Sequence, residues 1–241
     1  GCCIAVRVLS RLACDRALLA EAGRVGAGCL RVYDLTGRLV SLGRYHRPPE
    51  AGGQGGVAWL RRYSGGRAAP HGAGFLGVAL VMPHRSAPFA ADPLALAPEQ
   101  VLNRHVRGLL DGLRLAGVDA YYPGRDVVTV GGRVVALVSF AVEPSGVLLF
   151  EAILAVEEDF ACLPARLDAI DPAGVVTADL VSPDAVTSVA RVRGGGTEEL
   201  AGLLVRGYEA RMGMAAAPRD LTGVSGVDDA GWRAQRTRAP S

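Results

Sequence analysis

The segment from Arg61 to His71 (Arg-Arg-Tyr-Ser-Gly-Gly-Arg-Ala-Ala-Pro-His) contains residue types that could bind an anion. Glycines let backbone N–H groups approach a ligand closely, and arginines bind carboxylate or phosphate groups through paired hydrogen bonds. Arg61 can equally point outward, since alternate positions on a strand do, and Arg62 is the better candidate for a binding residue. The spacing alone leaves a second interpretation open, a hairpin turn with solvated arginines.

All 26 basic residues of the 241-residue chain are arginine, and the sequence contains no lysine. This excludes Schiff-base chemistry, a P-loop lysine and any other mechanism that uses a lysine ammonium of this chain. The formal charge of +2 gives no strong field for nucleic acid or anionic lipid, and 5% aromatic residues are too few for a base-stacking platform. We therefore expect neither nucleic acid nor a membrane among the partners.

The cysteine and histidine positions do not indicate a metal site. The five cysteines (2, 3, 14, 29 and 162) include no Cys-x-x-Cys pair, so neither a zinc site nor a disulfide framework is expected, and reduced thiols in the cytoplasm are the default. Cys162 follows three carboxylates, which raise the pKa of a thiol, so a small buried side chain is a better interpretation than a nucleophile. The four histidines stand alone, without a partner at metal-ligand spacing.

Hydrophobic periodicity predicts the elements that position these residues. Helices are expected at residues 12–22, 99–116, 182–192 and 197–212, with Gly23 and Gly117 ending the first two. Strands are expected at residues 29–35, 38–45, 57–62, 75–82, 120–122, 126–130, 133–142 and 146–156, the last two paired with each other. Strands dominate the middle of the chain and helices flank them irregularly, which predicts an α+β fold rather than a regular βαβ winding.

The ends of the chain differ in character from its middle. Charged residues interrupt the first twenty positions, which argues against a signal peptide, and no apolar run reaches the roughly 18 residues that span a bilayer. Residues 213–241 lack periodicity. We expect one domain at residues 1–212, followed by a disordered tail at residues 213–241.

Taken in order, these segments resemble the lipoate–protein ligase family of the biotin/lipoate ligase superfamily. That family shows a Leu-Gly-Arg-Tyr-Gln-like turn before an Arg-Arg-x-Ser-Gly-Gly-Gly-Ala-x-x-His-Asp loop, and here the turn reads Leu-Gly-Arg-Tyr-His at residues 42–46. The family's helix corresponds to residues 99–116, and its Asn-Asp strand that ends in Gly-x-Lys corresponds to residues 125–133. Val-Thr-Ser-Val at residues 186–189 is similar to the family's Val-Thr-Ser-Leu segment. The resemblance covers about residues 12–212.

The resemblance implies a mixed β-sheet flanked by helices, as in the class II synthetase-like catalytic domains of these ligases. It implies ATP and Mg²⁺ as cofactors and lipoate or octanoate as the substrate, which is activated as an acyl-adenylate and passed to a lysine of a lipoyl domain. The acceptor would be a 2-oxoacid dehydrogenase acyltransferase or a glycine-cleavage H protein. By the family pattern, the residues that bind the acyl group or adenylate are Arg62, Ser64, Gly65, Gly66, Arg67, His71 and Asp126, and Arg133 stands at the position of the catalytic lysine.

Several polar positions of the family pattern are changed. Arg133 replaces the lysine, which in the family stabilises negative charge on the reacting carboxyl and phosphate groups, and a one-residue shift would place Val134 there. Arg67 replaces the third glycine of the loop, and Gly72 replaces the aspartate after the histidine. Two hypotheses follow. The protein is an active ligase or acyltransferase that works with an arginine, or it is an inactive relative that binds an acyl group or a lipoyl domain, or serves as a partner subunit.

Overall fold

Two β-sheets form the centre of the protein in the computed structural model, which describes residues 14–35, 37–47, 49, 56–84, 98–172, 174 and 180–213. The strands are β1 (Cys29–Tyr33), β2 (Arg38–Leu42), β3 (Val57–Arg61), β4 (Ala69–Gly72), β5 (Phe75–Met82), β6 (Ala120–Tyr121), β7 (Val127–Val130), β8 (Arg133–Val142) and β9 (Leu148–Ala155). The helices are α1 (Cys14–Val25), α2 (Pro98–Leu115), α3 (Leu163–Ile170), α4 (Val189–Arg193) and α5 (Thr197–Met212). Among the described residues, no helix combines the length and the apolar character that crossing a membrane requires.

The larger sheet has six strands in the order β1-β5-β9-β8-β7-β6, and all neighbouring strands in it are antiparallel. Every residue of the interior strands β5 and β9 is buried, because other elements cover both faces of the sheet. This explains their nearly continuous apolar sequences, which lack the alternation of a strand with one face in solvent. The predicted pairing of β8 with β9 is confirmed.

Helices α2 and α5 cover one face of the larger sheet and contact each other closely. A methyl group added at Gly207 would lie 2.2 Å from the amide nitrogen of Gly112, and one added at Gly108 would lie 2.3 Å from the ring of Tyr208. Side chains at these positions would therefore force the two helices apart. The glycines in both helices therefore allow α2 and α5 to pack closely against each other over the largest hydrophobic cluster.

The smaller sheet lies against the opposite face of the larger one. Its central strand β2 runs parallel to β3 and antiparallel to β4. Leu137 and Ile153 of the larger sheet pack with Ala69 of β4 in one apolar cluster. Helix α3 covers the smaller sheet in turn, where Leu163 packs with Leu42. The smaller sheet is thus held between α3 and the larger sheet.

The structure confirms the α+β fold class and many predicted elements. The helices expected at residues 99–116 and 197–212 are α2 and α5, and β5 and β8 have the predicted bounds. Helix α5 has Glu198 and Glu199 in its first turn and ends at Gly213 in the left-handed conformation, as helix electrostatics and the glycine C-cap predict. The tail predicted after it lies outside the described residues from residue 214 onward.

Other elements differ from the prediction. Helix α1 continues past Gly23 to Val25, and its expected start at residue 12 lies outside the described residues. The single helix expected at residues 182–192 is wrong, because Val186 forms a parallel bridge with Val134 of β8. Extended backbone at that point separates a 3-10 turn (Pro183–Ala185) from α4. Strand β4 has no counterpart among the predicted strands.

Candidate functional site

The glycine turn, defined as residues 62–68, connects β3 to β4 and lies at the end of β2, the strand between them. Two backbone hydrogen bonds attach it to the segment that leaves β2. The Arg62 amide donates to the carbonyl of Leu42 (2.7 Å), and the Arg44 amide donates to the carbonyl of Ser64 (2.8 Å). The first half of the turn is therefore fixed to the smaller sheet.

The Arg62 side chain lies beneath the glycine turn and holds its carbonyl groups. Its Nη2 donates to the carbonyl oxygens of Gly65 (2.9 Å) and Arg67 (2.7 Å). Its Nη1 donates to the carbonyl oxygen (3.0 Å) and the hydroxyl (2.8 Å) of Ser41. Since the residue is only 3% exposed, the predicted ligand-binding arginine acts in this structure on the turn itself.

Two amide groups of the glycine turn remain for a ligand. Within the described part of the chain, the amides of Gly65 and Gly66 donate no hydrogen bond, and Gly66 is exposed. Gly66 has a φ of +85°, which a residue with a side chain rarely adopts. Consecutive amides in turns of this kind form concavities that bind anions. The turn can thus offer two main-chain donors to a carboxylate or phosphate.

Polar side chains of the larger sheet support the turn from below. The Ser64 amide donates to Oε2 of Glu151 (3.2 Å), and the Ser64 hydroxyl lies 2.8 Å from that of Ser139. Glu151 is 1% exposed, and its Oε1 has no hydrogen-bond partner among the described residues. Sequence reasoning missed both supporting residues. The available signal was one polar residue inside each of two otherwise apolar strands.

A close backbone approach fixes the height of the turn above β2. A methyl group added at Gly43 would lie 2.1 Å from the carbonyl oxygen of Gly66. Any side chain at position 43 would therefore displace the exposed half of the glycine turn. The Leu-Gly-Arg-Tyr-His motif that precedes the turn in sequence is thus also in contact with it in space.

Arg67 connects the glycine turn to the larger sheet through an ion pair with Asp126. Its Nε lies 2.6 Å from Oδ2 of Asp126, and its Nη2 lies 3.4 Å from Oδ1. The two side chains are 22% and 31% exposed. Asp126 stands just before β7, and its carbonyl accepts a hydrogen bond from Val138 of β8 (2.9 Å), which fixes its backbone. The structure therefore brings together two predicted site residues that are far apart in sequence.

His71 is buried on β4, behind the turn rather than on its exposed side. Its Nε2 lies 2.9 Å from the hydroxyl of Ser41, the group that also accepts from Arg62, and its ring stacks on Tyr33. Burial is the main reason that the pKa of His71 falls from its ordinary value to about 3, and the nearby Arg62 and Arg166 lower it further. A neutral imidazole therefore belongs to the network that supports the turn.

Arg133 lies at the exposed start of β8, opposite Val130 in the β7–β8 hairpin. Its side chain makes no hydrogen bond or ion pair with any described residue. The alternative register residue, Val134, is buried in the cluster that contains Ala69. Its apolar side chain offers no charge to the glycine turn. The role assigned to Arg133 by the resemblance remains a prediction.

The described residues around the turn present no preformed cluster of metal ligands. Among the residues that the structure describes, no group of three or more His, Cys, Asp or Glu side chains could hold a metal ion. Asp126 is the carboxylate expected to serve the adenylate, and it is paired with Arg67. Mg²⁺ usually binds through one or two carboxylates plus phosphate oxygens. Here the Asp126 carboxylate is already paired with the Arg67 guanidinium.

Cys162 is not set up as a nucleophile. It lies at the end of the 3-10 turn Phe160–Cys162 and packs against the apolar cluster around Phe75. Burial raises the pKa of its thiol to about 11, an effect that outweighs the nearby Arg166. The sequence predicts a small buried side chain, and in the structure Cys162 is only partly buried.

Solved structures of known proteins match the chain over most of its length. One is a bi-partite lipoate protein ligase from Thermoplasma acidophilum, studied with its E2 lipoyl domain, with a TM-score of 0.71 and 18% identity over 93% of this chain and 89% of that one. Lipoate-protein ligase A bound with ATP gives a TM-score of 0.70 and 18% identity, over 93% and 90% of the two chains. LipL1 of P. falciparum in complex with lipoate gives 0.62 and 14% identity, over 92% and 65%.

Sequence comparison does not extend this result. No protein-family model matches the chain, and no curated protein matches it. The identities to the solved structures are low, so their likeness concerns the path of the backbone. That likeness confirms the fold implied by the order of the sequence motifs, and the chain therefore has the fold of the lipoate–protein ligases.

Proposed function

We propose that this protein binds a medium-chain acyl group, as the carboxylate or as the acyl-adenylate, in protein lipoylation. The observation that carries the proposal is the glycine turn, in which Arg62 holds two carbonyls from below while the amides of Gly65 and Gly66 remain available. Two adjacent amides suit the oxygens of a carboxylate or a phosphate. The surrounding fold supports the same ligand class, since structural neighbours were solved with ATP and with lipoate.

The substrates that we propose are ATP with lipoate or octanoate, and the acceptor is a lysine of a lipoyl domain. One structural neighbour was studied together with its E2 lipoyl domain, which supports that choice of acceptor. An oxygen of the acyl carboxylate attacks the α-phosphorus of ATP, and pyrophosphate leaves. The acceptor amine then attacks the acyl carbon, AMP leaves, and the nitrogen loses a proton. Both steps develop negative charge that donors beside the turn can stabilise.

Mg²⁺ enters this proposal only as the ion that accompanies ATP in solution. The turn offers it Asp126, which is engaged by Arg67. In this proposal the residues of this chain bind and orient the acyl and phosphate groups through N–H donors, and neither step of the reaction requires a metal ion held by the protein.

Calorimetric titration with an octanoyl-adenylate analogue, in which a sulfamate replaces the phosphate, tests the proposed site. We expect binding to the wild type and a loss of at least about tenfold in Gly66→Asp, because an added Cβ there would lie 3.1 Å from Cβ of Ser139 and 3.5 Å from Nη2 of Arg62, so the new side chain would disturb the support of the two amides and add a negative charge beside them. Gly37→Asp is the matched control. Gly37 has a φ of +84° and nothing within 4 Å of an added Cβ, so this variant carries a similar unfavourable φ and the same added charge away from the turn. Absence of binding to the wild type, or equal binding by both variants, would contradict the proposal.

The second candidate function is a binding module or partner subunit without ligase activity. It is favoured by the absence of lysine from the sequence and by the exposed position of Arg133 outside the turn's hydrogen bonds. ATP–pyrophosphate exchange with lipoate and octanoate separates the two candidates. Exchange above a blank supports the ligase. Binding of the analogue or of a lipoyl domain without exchange supports the module.

A further inference from the structure

A bound carboxylate or phosphate gains most from a positive side chain beside the glycine turn, and the chain has no lysine to supply it. The arginines that the sequence assigns to the site are Arg62, Arg67 and Arg133. Of two further arginines next to the turn, Arg44 lies over the ring of Tyr63 and Arg61 donates to the carbonyl of His46. Which of the three assigned arginines contacts the ligand is a question that rests on the proposed function. The three side chains differ in burial and in the groups that they already contact, and these differences decide between them.

Arg62 is committed to the protein. Both of its Nη atoms donate to oxygens of Ser41, Gly65 and Arg67, and the residue is buried. A ligand could reach this guanidinium only by displacing the turn that is to bind it. Arg133 is accessible to a ligand, but it lies exposed on a hairpin and shares no hydrogen bond with the turn.

Arg67 has the position that the other two lack. It follows Gly66 directly, and its carbonyl is held from below by Arg62, so its backbone moves with the turn. Its guanidinium is partly exposed and is oriented by Asp126 through Nε and Nη2. An arginine held by a carboxylate on one edge keeps a planar array of donors in a defined orientation, which a flexible lysine ammonium does not have.

We infer that Arg67 contacts the carboxyl or phosphate group of the ligand in place of the family's lysine, and that Asp126 is its positioning residue. In this arrangement the replaced third glycine of the loop and the missing lysine are two parts of one change. The cation has moved from the strand after Asp126 to the turn itself. Asp126 then orients an arginine rather than holding a metal ion.

The opposite reading of the same contacts is that Arg67 blocks the site. An arginine in place of a glycine adds bulk beside the two amides, and its ion pair with Asp126 spans from the turn to the larger sheet. Under that reading, removal of the side chain would strengthen ligand binding. The two interpretations therefore predict opposite changes in ligand affinity when the Arg67 side chain is removed.

Titration of the full chain with the octanoyl-adenylate analogue measures this change in affinity. We expect Arg67→Gln and Arg67→Gly to weaken binding by about 10-fold to 100-fold, the usual cost of one charge-assisted contact. Arg67→Lys should retain part of the affinity. Arg133→Gln, at the competing position, should bind like the wild type, and so should the control Arg206→Gln, at an exposed position on α5. Unchanged or tighter binding in both Arg67→Gln and Arg67→Gly would overturn the inference, and so would a large loss in Arg133→Gln alone.

A double-variant cycle tests the positioning role of Asp126. Asp126→Asn should weaken binding in the wild type but add no further loss to Arg67→Gln, because its effect passes through the arginine. Additive losses would refute the positioning role, and thermal unfolding of each variant verifies the fold. If the wild type itself does not bind the analogue, the proposed function fails. If it binds and Arg67→Gln binds equally well, only this inference fails.

Discussion

Acidification should destabilise this protein through the buried His71. The imidazole is held in its neutral form by burial and by the neighbouring Arg62, Arg166 and Arg31, and its pKa is about 3 in the folded chain against an ordinary value of 6.5. Between these two values the unfolded chain binds a proton that the folded chain does not. The free energy of unfolding therefore falls as the pH decreases through 6.5, and this loss continues down to the folded pKa.

The expected magnitude follows from the ordinary pKa. At about pH 5 the solution is roughly 1.5 pH units below the unfolded value, and each unit corresponds to about 1.4 kcal/mol. His71 should therefore lower the free energy of unfolding by about 2 kcal/mol between about pH 7.5 and about pH 5. This result does not depend on the exact folded pKa, provided that it lies well below 5.

Urea denaturation followed by circular dichroism at both pH values measures the loss. Other groups titrate in the same range, including His46, whose pKa is lowered mainly by burial. The comparison is therefore with His71→Phe, which keeps a ring against Tyr33 without a titrating group. We expect the variant to lose about 2 kcal/mol less than the wild type on acidification. An equal loss in the wild type and in His71→Phe would refute the reasoning, as would an NMR titration of His71 near 6.5.

Two further substitutions test the support of the glycine turn. Gly43→Ala places a methyl group 2.1 Å from the Gly66 carbonyl oxygen, so thermal unfolding should show a lower Tm and binding of the adenylate analogue should weaken. The control is Gly202→Ala on α5, which has open space around the added methyl group and should keep or raise the Tm. Equal Tm values in these two variants would show that the close approach is unimportant. Arg62→Lys cannot reach Ser41 and the turn carbonyls together, and we expect a loss of about 3 kcal/mol in urea denaturation. Wild-type stability in that variant would contradict the clamp.

The sequence was sufficient for elements whose stability is local. Helices α2 and α5 show a continuous apolar face and end at glycines, and β5 and β9 are apolar runs long enough to be recognised alone. Strand β4 could not be found in this way, because Ala69–Gly72 contains a proline and a glycine and is extended only through its pairing with β2. Proline is tolerated there because β4 is an edge strand.

The candidate site divides in the same manner. The glycine turn was recognised from neighbouring residues, whereas its supports come from distant parts of the chain. Ser64 contacts Glu151 and Ser139, and Arg67 contacts Asp126, across separations that no local pattern records. The prediction of Arg62 as a ligand residue followed from its residue type. Its place beneath the turn depends on where the carbonyls of Gly65 and Arg67 point, which only the folded backbone defines.

Because β2 lies between β3 and β4 in the smaller sheet, the glycine turn crosses over the end of one strand and does not form a hairpin. It begins at β3 and ends at β4, which are separated by one intervening strand and hence by about 10 Å. The distance between the two ends of the turn is fixed by the sheet, because this sheet packs on both faces. A deletion within the turn would have to pull β3 or β4 away from β2, and an insertion would lengthen the turn and displace the amides of Gly65 and Gly66. The backbone of the glycine turn is therefore ordered by the protein itself, and little conformational entropy should be lost when a ligand binds.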